Sequence, residues 1–314
     1  MRNLSPIVIA VVLFLLLTSC LPGRAQTIAF QRDDGIWISD ITGRGQRFLC
    51  RGYDPEISPD GRHVAFTHYE DAGPTAAPDR SIAICDIASR DIEVMRSMPG
   101  STHFGPAWSP RGDWIAVSSY VNGVWGVGIV RRDGTSYRLL TGGLQRDTYS
   151  PTWNHRGDRI LCHGDGFLYT LDEKGGVRDR VPCRDIAGDY GMTSATSFRL
   201  SRDGRCLLFD ADVPNETMAG LNEPPGALFV HDLSSGKTER ITPRGICGFY
   251  PTWYPGGKVL FSGFGEGDMP KGEGPARITV HLYTIDVSGG NLQVFIEDAR
   301  DASLSSLVGS GLTH

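Results

Sequence analysis

Catalysis or metal chemistry needs side chains of the right type at the right spacing, and few such groups occur in this chain. It holds eight histidines, and neither a His-Glu-x-x-His zinc motif nor an EF-hand loop is present. His63, His155 and His231 fall where a strand or turn explains them. No Gly-x-Ser-x-Gly elbow for a serine nucleophile occurs. Gly236-Lys237-Thr238 has the ending of a phosphate-binding loop, but His231 stands where its first glycine is needed. Gly263-Phe264-Gly265-Glu266-Gly267 leads through Pro270 and Pro275 towards another strand, without the helix that would hold a pyrophosphate. No catalytic set, no metal site and no cofactor is therefore expected. Binding is left: His103, Asp147 and Arg300 do not recur along the chain, and with Asp54, Tyr149 and Asp301 they form the candidate binding set. Aromatic rings with a few charges suit a peptide, a glycan or a protein loop.

A repeat must position these residues. Tyr53-Asp54-Pro55-Glu56-Ile57-Ser58-Pro59-Asp60-Gly61 returns as Phe104-Gly105-Pro106-Ala107-Trp108-Ser109-Pro110-Arg111-Gly112 and as Tyr149-Ser150-Pro151-Thr152-Trp153-Asn154-His155-Arg156-Gly157. Further copies are Phe198-Arg199-Leu200-Ser201-Arg202-Asp203-Gly204, Tyr250-Pro251-Thr252-Trp253-Tyr254-Pro255-Gly256-Gly257 and the truncated Asp301-Ala302-Ser303-Leu304-Ser305. Counted at the Ser58 column, the spacings are 51, 45, 47, 53 and 51 residues, the period of four-stranded propeller blades. Within each copy, Pro presets φ, Asp bonds nearby backbone and Gly supplies φ > 0, so the chain reverses. The large apolar residue before the turn, such as Trp108, Trp153 or Trp253, is expected to pack between blades. The aromatic residues Tyr53, Phe104, Tyr149 and Phe249 recur in the same way, which gives them a packing reading beside a binding one.

Second strands are expected at 63–66, 114–117, 159–162, 206–209 and 258–261, and third strands at 36–41, 82–87, 127–132, 168–172, 228–233 and 282–287. Five of the third strands carry an acid near their end, Asp40, Asp86, Asp172, Asp232 and Asp286; recurrence once per repeat marks hairpin caps rather than a metal set. The chain starts in mid-blade at 27–30 and supplies the missing strand at 301–305. The expected fold is thus all-β, a six-bladed β-propeller of four-stranded blades, closed by N- and C-terminal strands sharing one blade over 27–305, with a short tail at 306–314. Closure within one chain makes a monomer the expectation. Long loops at 69–80, 211–226 and 263–277 are expected on one face with the channel mouth, a usual place for binding.

The chain has 314 residues, 40 Gly, 19 Pro and a formal net charge of -5, with Lys and Arg scattered, so no nucleic-acid footprint is visible. Arg2 and the apolar run 7–17 form a leader too short to span a bilayer. Leu17-Thr18-Ser19-Cys20 is similar to a bacterial lipobox, which implies a leader over 1–19 and Cys20 as the lipid attachment site; cleavage after Gly23-Arg24-Ala25 is the alternative. Cys50, Cys85, Cys162, Cys183, Cys206 and Cys247 show no CxxC or metal spacing. Buried free thiols are one reading of them, and a Cys183–Cys206 bridge another.

The Pro-x-Trp-Ser-Pro-Asp-Gly motifs resemble the WD40-like (PD40) repeats of TolB-like propellers, over essentially 27–305. The resemblance is to the propeller alone, without the α/β domain of that family. It implies a non-enzymatic protein of the cell envelope, periplasmic or at the cell surface, that binds a protein or an envelope polymer such as peptidoglycan-associated polysaccharide. A similar repeat in oligogalacturonate lyases implies the alternative, a metal-assisted polysaccharide lyase or hydrolase with its site at the channel mouth.

Overall fold

In four of the motif copies the Ser or Asn organises the turn through its own side chain. Ser58 Oγ donates to Asp60 Oδ1 at 2.6 Å and accepts from the amides of Arg62 and His63 at 3.2 and 3.0 Å. Ser109 accepts in the same way from Asp113 and Trp114, Asn154 Oδ1 from Asp158 and Arg159, and Ser201 from Arg205 and Cys206. With the turn fixed, the register of the two strands leaving it is fixed as well.

The computed structural model describes residues 26–69, 79–269 and 277–306; the leader with Cys20, segments 70–78 and 270–276, and residues 307–314 lie outside them. The described chain begins with β1 (Thr27–Arg32), β2 (Gly35–Asp40) and β3 (Arg47–Arg51). Then come β4 (Tyr53–Ile57), β5 (His63–Tyr69), β6 (Arg80–Asp86) and β7 (Ile92–Val94), followed by β8 (Thr102–Trp108), β9 (Trp114–Val121), β10 (Val124–Arg131) and β11 (Arg138–Leu139). β12 (Tyr149–Trp153), β13 (Arg159–Gly164), β14 (Phe167–Asp172) and β15 (Val177–Pro182) precede a short helix, α1 (Cys183–Ala187). The last strands are β16 (Phe198–Leu200), β17 (Cys206–Asp212), β18 (Gly226–Asp232), β19 (Lys237–Arg240), β20 (Ile246–Tyr254), β21 (Lys258–Gly265), β22 (His281–Asp286), β23 (Gln293–Ile296) and β24 (Arg300–Leu304). α1 was not legible in the sequence; it follows the outer strand β15.

Four sheets have four strands, ordered β24-β1-β2-β3, β12-β13-β14-β15, β16-β17-β18-β19 and β20-β21-β22-β23. The eight strands β4–β11 form one further sheet, in which the antiparallel meanders β4–β7 and β8–β11 meet through a single parallel pairing of Arg80 with Thr102. This is an all-β propeller. The β24–β1 pairing, Leu304 opposite Ile28 and Ser303 opposite Ala29, brings the two ends of the described chain into one sheet.

The core lies between neighbouring meanders. Trp114 and Ile129 pack against Trp153, Ile160 and Leu171, and Ile36 and Leu49 against Val64, Phe66 and Ala83. Phe30, Phe66, Phe209 and Phe261 hold one repeat position in β1, β5, β17 and β21 and are fully buried, each contributing about 2–3 kcal/mol of apolar transfer. The tryptophans before the turns do more than fill space: Trp108 Nε1 donates to the Glu56 carbonyl at 2.9 Å, Trp153 Nε1 to Ala107 at 3.0 Å and Trp253 Nε1 to Arg199 at 3.1 Å. The inner strands β8, β12 and β20 are thereby each tied to the inner strand before them.

The recurring aspartates act as caps. The amides of Ala88 and Ser89 donate to Asp86 Oδ1 at 2.8 Å each, and those of Lys174 and Gly176 to Asp172 Oδ1 at 2.8 Å, which holds both carboxyls below the ordinary carboxylate range. Asp286 departs from the pattern, taking Lys258 Nζ at 2.7 Å and the Asn291 side chain instead. The cysteines follow the free-thiol reading: Cys50, Cys85, Cys162, Cys183 and Cys247 are buried free thiols and Cys206 is a half-buried one. Cys183 opens α1 and Cys206 opens β17, with no bridge between them, whereas the Cys50 and Cys85 thiols perturb one another's ionisation.

Candidate functional site

The inner strands carry a repeated irregularity. β4 slips register against β5 between Tyr53 and Glu56, β8 against β9 between Phe104 and Ala107, β12 against β13 between Tyr149 and Thr152, and β20 against β21 between Phe249 and Thr252. β24 shows the same slip against β1. At each bulge one residue turns left-handed: Asp54 at φ 51°, Gly105 at 61°, Ser150 at 54°, Tyr250 at 50° and Asp301 at 51°. That conformation costs a non-glycine residue about 1–2 kcal/mol, and repeated strain of this kind belongs to sites where backbone geometry serves a purpose.

These five residues, together with Ser197, Glu56 and Arg199, line one cavity of about 140 Å³. Its walls come from β4, β8, β12, β16, β20 and β24, so it lies on the axis that the inner strands surround.

Acidic groups dominate the charge there. Burial pushes the Asp301 carboxyl up to about 7, helped by the neighbouring Asp54 charge and opposed by Arg300 and a bond with Ser262. Asp301 Oδ1 is buried without a hydrogen-bond partner. Burial also raises Asp54, although Thr67 Oγ1 donates to its Oδ2 at 2.8 Å and Arg80 and Arg300 attract it. Asp210 is pushed up to about 6 by burial while the Ser197 amide and hydroxyl donate to its Oδ1 at 3.1 and 2.7 Å. Glu56, raised by burial, stands 3.6 Å from Arg199 Nη2. Tyr250 keeps 39% of its surface accessible, yet desolvation and then Asp301, Asp54 and Asp210 raise its phenol.

An aromatic shelf borders the cavity. Phe104, which lines it, meets Trp125 edge-on at 5.2 Å; Trp125 lies 5.1 Å from Tyr120 and 6.3 Å from Tyr149. The Arg80 guanidinium sits over both Phe104 and Trp125, at 4.9 and 5.7 Å. The Trp125 amide donates to Asp147 Oδ1 at 2.9 Å, which fixes the Asp147 loop beside the ring. Beyond the opposite wall, Met218 of the β17–β18 loop packs with Cys247 and Phe264, and Phe249 rests against that cluster. That long loop is thus anchored by apolar contacts at the start of β20.

Of the residues singled out from sequence, Asp54 and Asp301 line the cavity, and Arg300 stands beside them with Nε 3.9 Å from Asp301 Oδ2. Asp147 and Tyr149 belong to the shelf. His103 joins neither group: it is 3% exposed, its Nδ1 shares a hydrogen bond with Ser119 Oγ at 2.9 Å, and its ring meets Tyr137 edge-on. Tyr250, Asp210, the Glu56–Arg199 pair and Trp125 were missed. The column Asp54, Gly105, Ser150, Ser197, Tyr250 and Asp301, aligned across repeats, would have found the cavity lining, since Gly, Ser and Asp together mark a left-handed position.

A propeller whose axial cavity is lined by PD40-type lead-in strands is a TolB-like β-propeller. No family model matches the chain. Over 115 residues it is 30% identical to the Tol-Pal system protein TolB of Nitratidesulfovibrio vulgaris, a stretch covering 32% of this chain and 24% of that protein. The match thus spans about a quarter of that relative's length. The crystal structure of TolB from Acinetobacter baumannii is similar at a TM-score of 0.63 and 16% identity, over 95% of this chain and 71% of that one. An oligogalacturonate lyase from Vibrio parahaemolyticus is similar at a TM-score of 0.50 and 13% identity, over 81% of this chain and 72% of that one. At these identities the structural likenesses concern the fold.

Proposed function

We propose that the chain is a six-bladed, non-enzymatic binding scaffold of the cell envelope, counting β4–β7 and β8–β11 as two blades, and that it engages a protein or envelope polymer where the inner strands begin. One observation carries this reading: the strained lead-in residues line an acid-rich cavity continuous with the Phe104–Trp125–Tyr149 shelf. Half-buried rings give area at low entropy cost, and the carboxylates favour a partner that brings positive charge or hydrogen-bond donors. The likeness to TolB supports an envelope setting. The leader extends the proposal to export, with residues 1–19 removed and Cys20 lipidated; a Cys20→Ser variant is then expected in the soluble fraction while the parent sediments with membranes.

The test is capture from a native envelope extract with the mature protein, with Trp125→Ala and Tyr250→Ala variants, and with a variant shortened within the β17–β18 loop. Loss of the same partner from the Trp125 and Tyr250 variants supports the reading. Equal recovery by every variant overturns it.

The lyase likeness favours a second reading, metal-assisted cleavage of an acidic polysaccharide in the same channel. Among the described residues no group of three or more His, Cys, Asp or Glu stands together as a metal-holding set, and His103 faces the core. Incubation with oligogalacturonate and manganese decides it: chain cleavage that disappears in Asp301→Asn would establish the lyase and displace the scaffold.

A further inference from the structure

Cys50 lies in β3 opposite Ile36 of β2, and Cys85 lies in β6 opposite Val64 of β5 and Ile92 of β7. The two strands belong to successive meanders, the first of which contains the β24–β1 pairing. Their side chains share one apolar cluster with Ile36, Val64 and Phe66, at 5% and 0% exposure; both are free thiols, and the interaction with Cys85 is the largest influence that pushes the Cys50 thiol up. A second contact holds the strands side by side: Arg47 Nη2 of β3 donates to the Ile87 carbonyl just beyond β6 at 3.4 Å. Cys162 and Cys247 sit in other clusters, Cys183 in α1 and Cys206 in β17.

We propose that Cys50 and Cys85 form a disulfide that fastens the closing sheet to the meander after it. The two sulfurs must close to about 2.05 Å for the bond to form. Each thiol loses its proton, the S–S bond forms, and the two electrons reduce an external disulfide, either a thiol–disulfide oxidoreductase or oxidised glutathione, to two thiols that take up the protons. The pair is sealed in the folded protein, so the bond forms as β3 and β6 dock and is afterwards shielded from reductants. It closes a loop containing all of β4 and β5, which restricts the unfolded chain. The inference rests on the export reading, because only an oxidising compartment makes such a bond durable.

The experiment has two arms, each read by alkylation under denaturing, non-reducing conditions and peptide mapping. In the first, the full chain is folded in a glutathione redox buffer. The Cys50 and Cys85 peptides are expected joined, with the intact mass lower by about 2 Da and the other described cysteines alkylated. Both thiols staying alkylatable in protein folded by circular dichroism overturns the proposal. In the second arm the chain is recovered from the envelope of a bacterium exporting it by its own leader. A bond formed in buffer but missing there upholds the pair and overturns export instead. A Cys50→Ala, Cys85→Ala double variant keeps small apolar groups in the cluster; its melting temperature is expected to be insensitive to reductant, while that of the parent falls.

Discussion

Asp54 and Asp301 hold the same repeat position on β4 and β24, share a φ of 51° and line the same cavity, where the Asp54 charge adds to the burial that raises the Asp301 carboxyl.

Burial of the Asp301 carboxyl, reinforced by the Asp54 charge, sets a pH dependence. Below the ordinary carboxylate value of 3.8 the folded and unfolded chains both hold the Asp301 proton, and no penalty arises. From there to about 7 the unfolded chain ionises first, so the native state binds more protons and stability falls as pH rises. Above that window the cost is constant, on the order of 4 kcal/mol. Asp301→Asn is expected to melt above the parent at about pH 8 and to converge with it near pH 4. Parallel melting curves across that range would refute the assignment.

Trp153→Phe keeps a ring between meanders but removes the donor to the Ala107 carbonyl, a buried acceptor. A loss of about 1–2 kcal/mol in urea unfolding is expected, against about 3–5 kcal/mol for Trp153→Ala. Equal losses would show that the indole N–H contributes nothing.

A chain ended after Ala299 lacks β24. It exposes the edge of β1 and leaves the Ile57 amide without its 2.8 Å bond to Ser303 Oγ. Concentration-dependent association by light scattering is expected, because an open strand edge recruits another chain. A stable monomer of unchanged melting temperature would contradict closure by this strand.

Gly164→Ala places a methyl group on the Asp147 carbonyl oxygen, which is backbone and cannot swing aside. About 1–3 kcal/mol of destabilisation is expected, together with displacement of Asp147 and weaker partner capture. Gly143→Ala, where a Cβ meets open space, is the control.

The motif made most of the fold legible, because Ser58, Ser109, Asn154 and Ser201 encode their turns within a few residues. The expected third strands coincide with β2, β6, β10, β14, β18 and β22 to within a few residues. The site was only half legible for a geometric reason. Non-recurrence, the ground on which His103 joined the candidate set, does not tell which way a side chain points, and its ring turns onto Ser119. Trp125 belongs to a different strand of its meander, and only the folded sheet brings it over Phe104.

The indole bonds from Trp108, Trp153 and Trp253 all run backwards, from one inner strand to its predecessor. In an open array the first unit would receive such support and give none. Joining β24 to β1 imposes a periodic boundary, so a unit has no outermost place and its opening must break contacts on both flanks at once. Amide exchange along β1 and β24 then reports on the whole ring rather than on fraying ends.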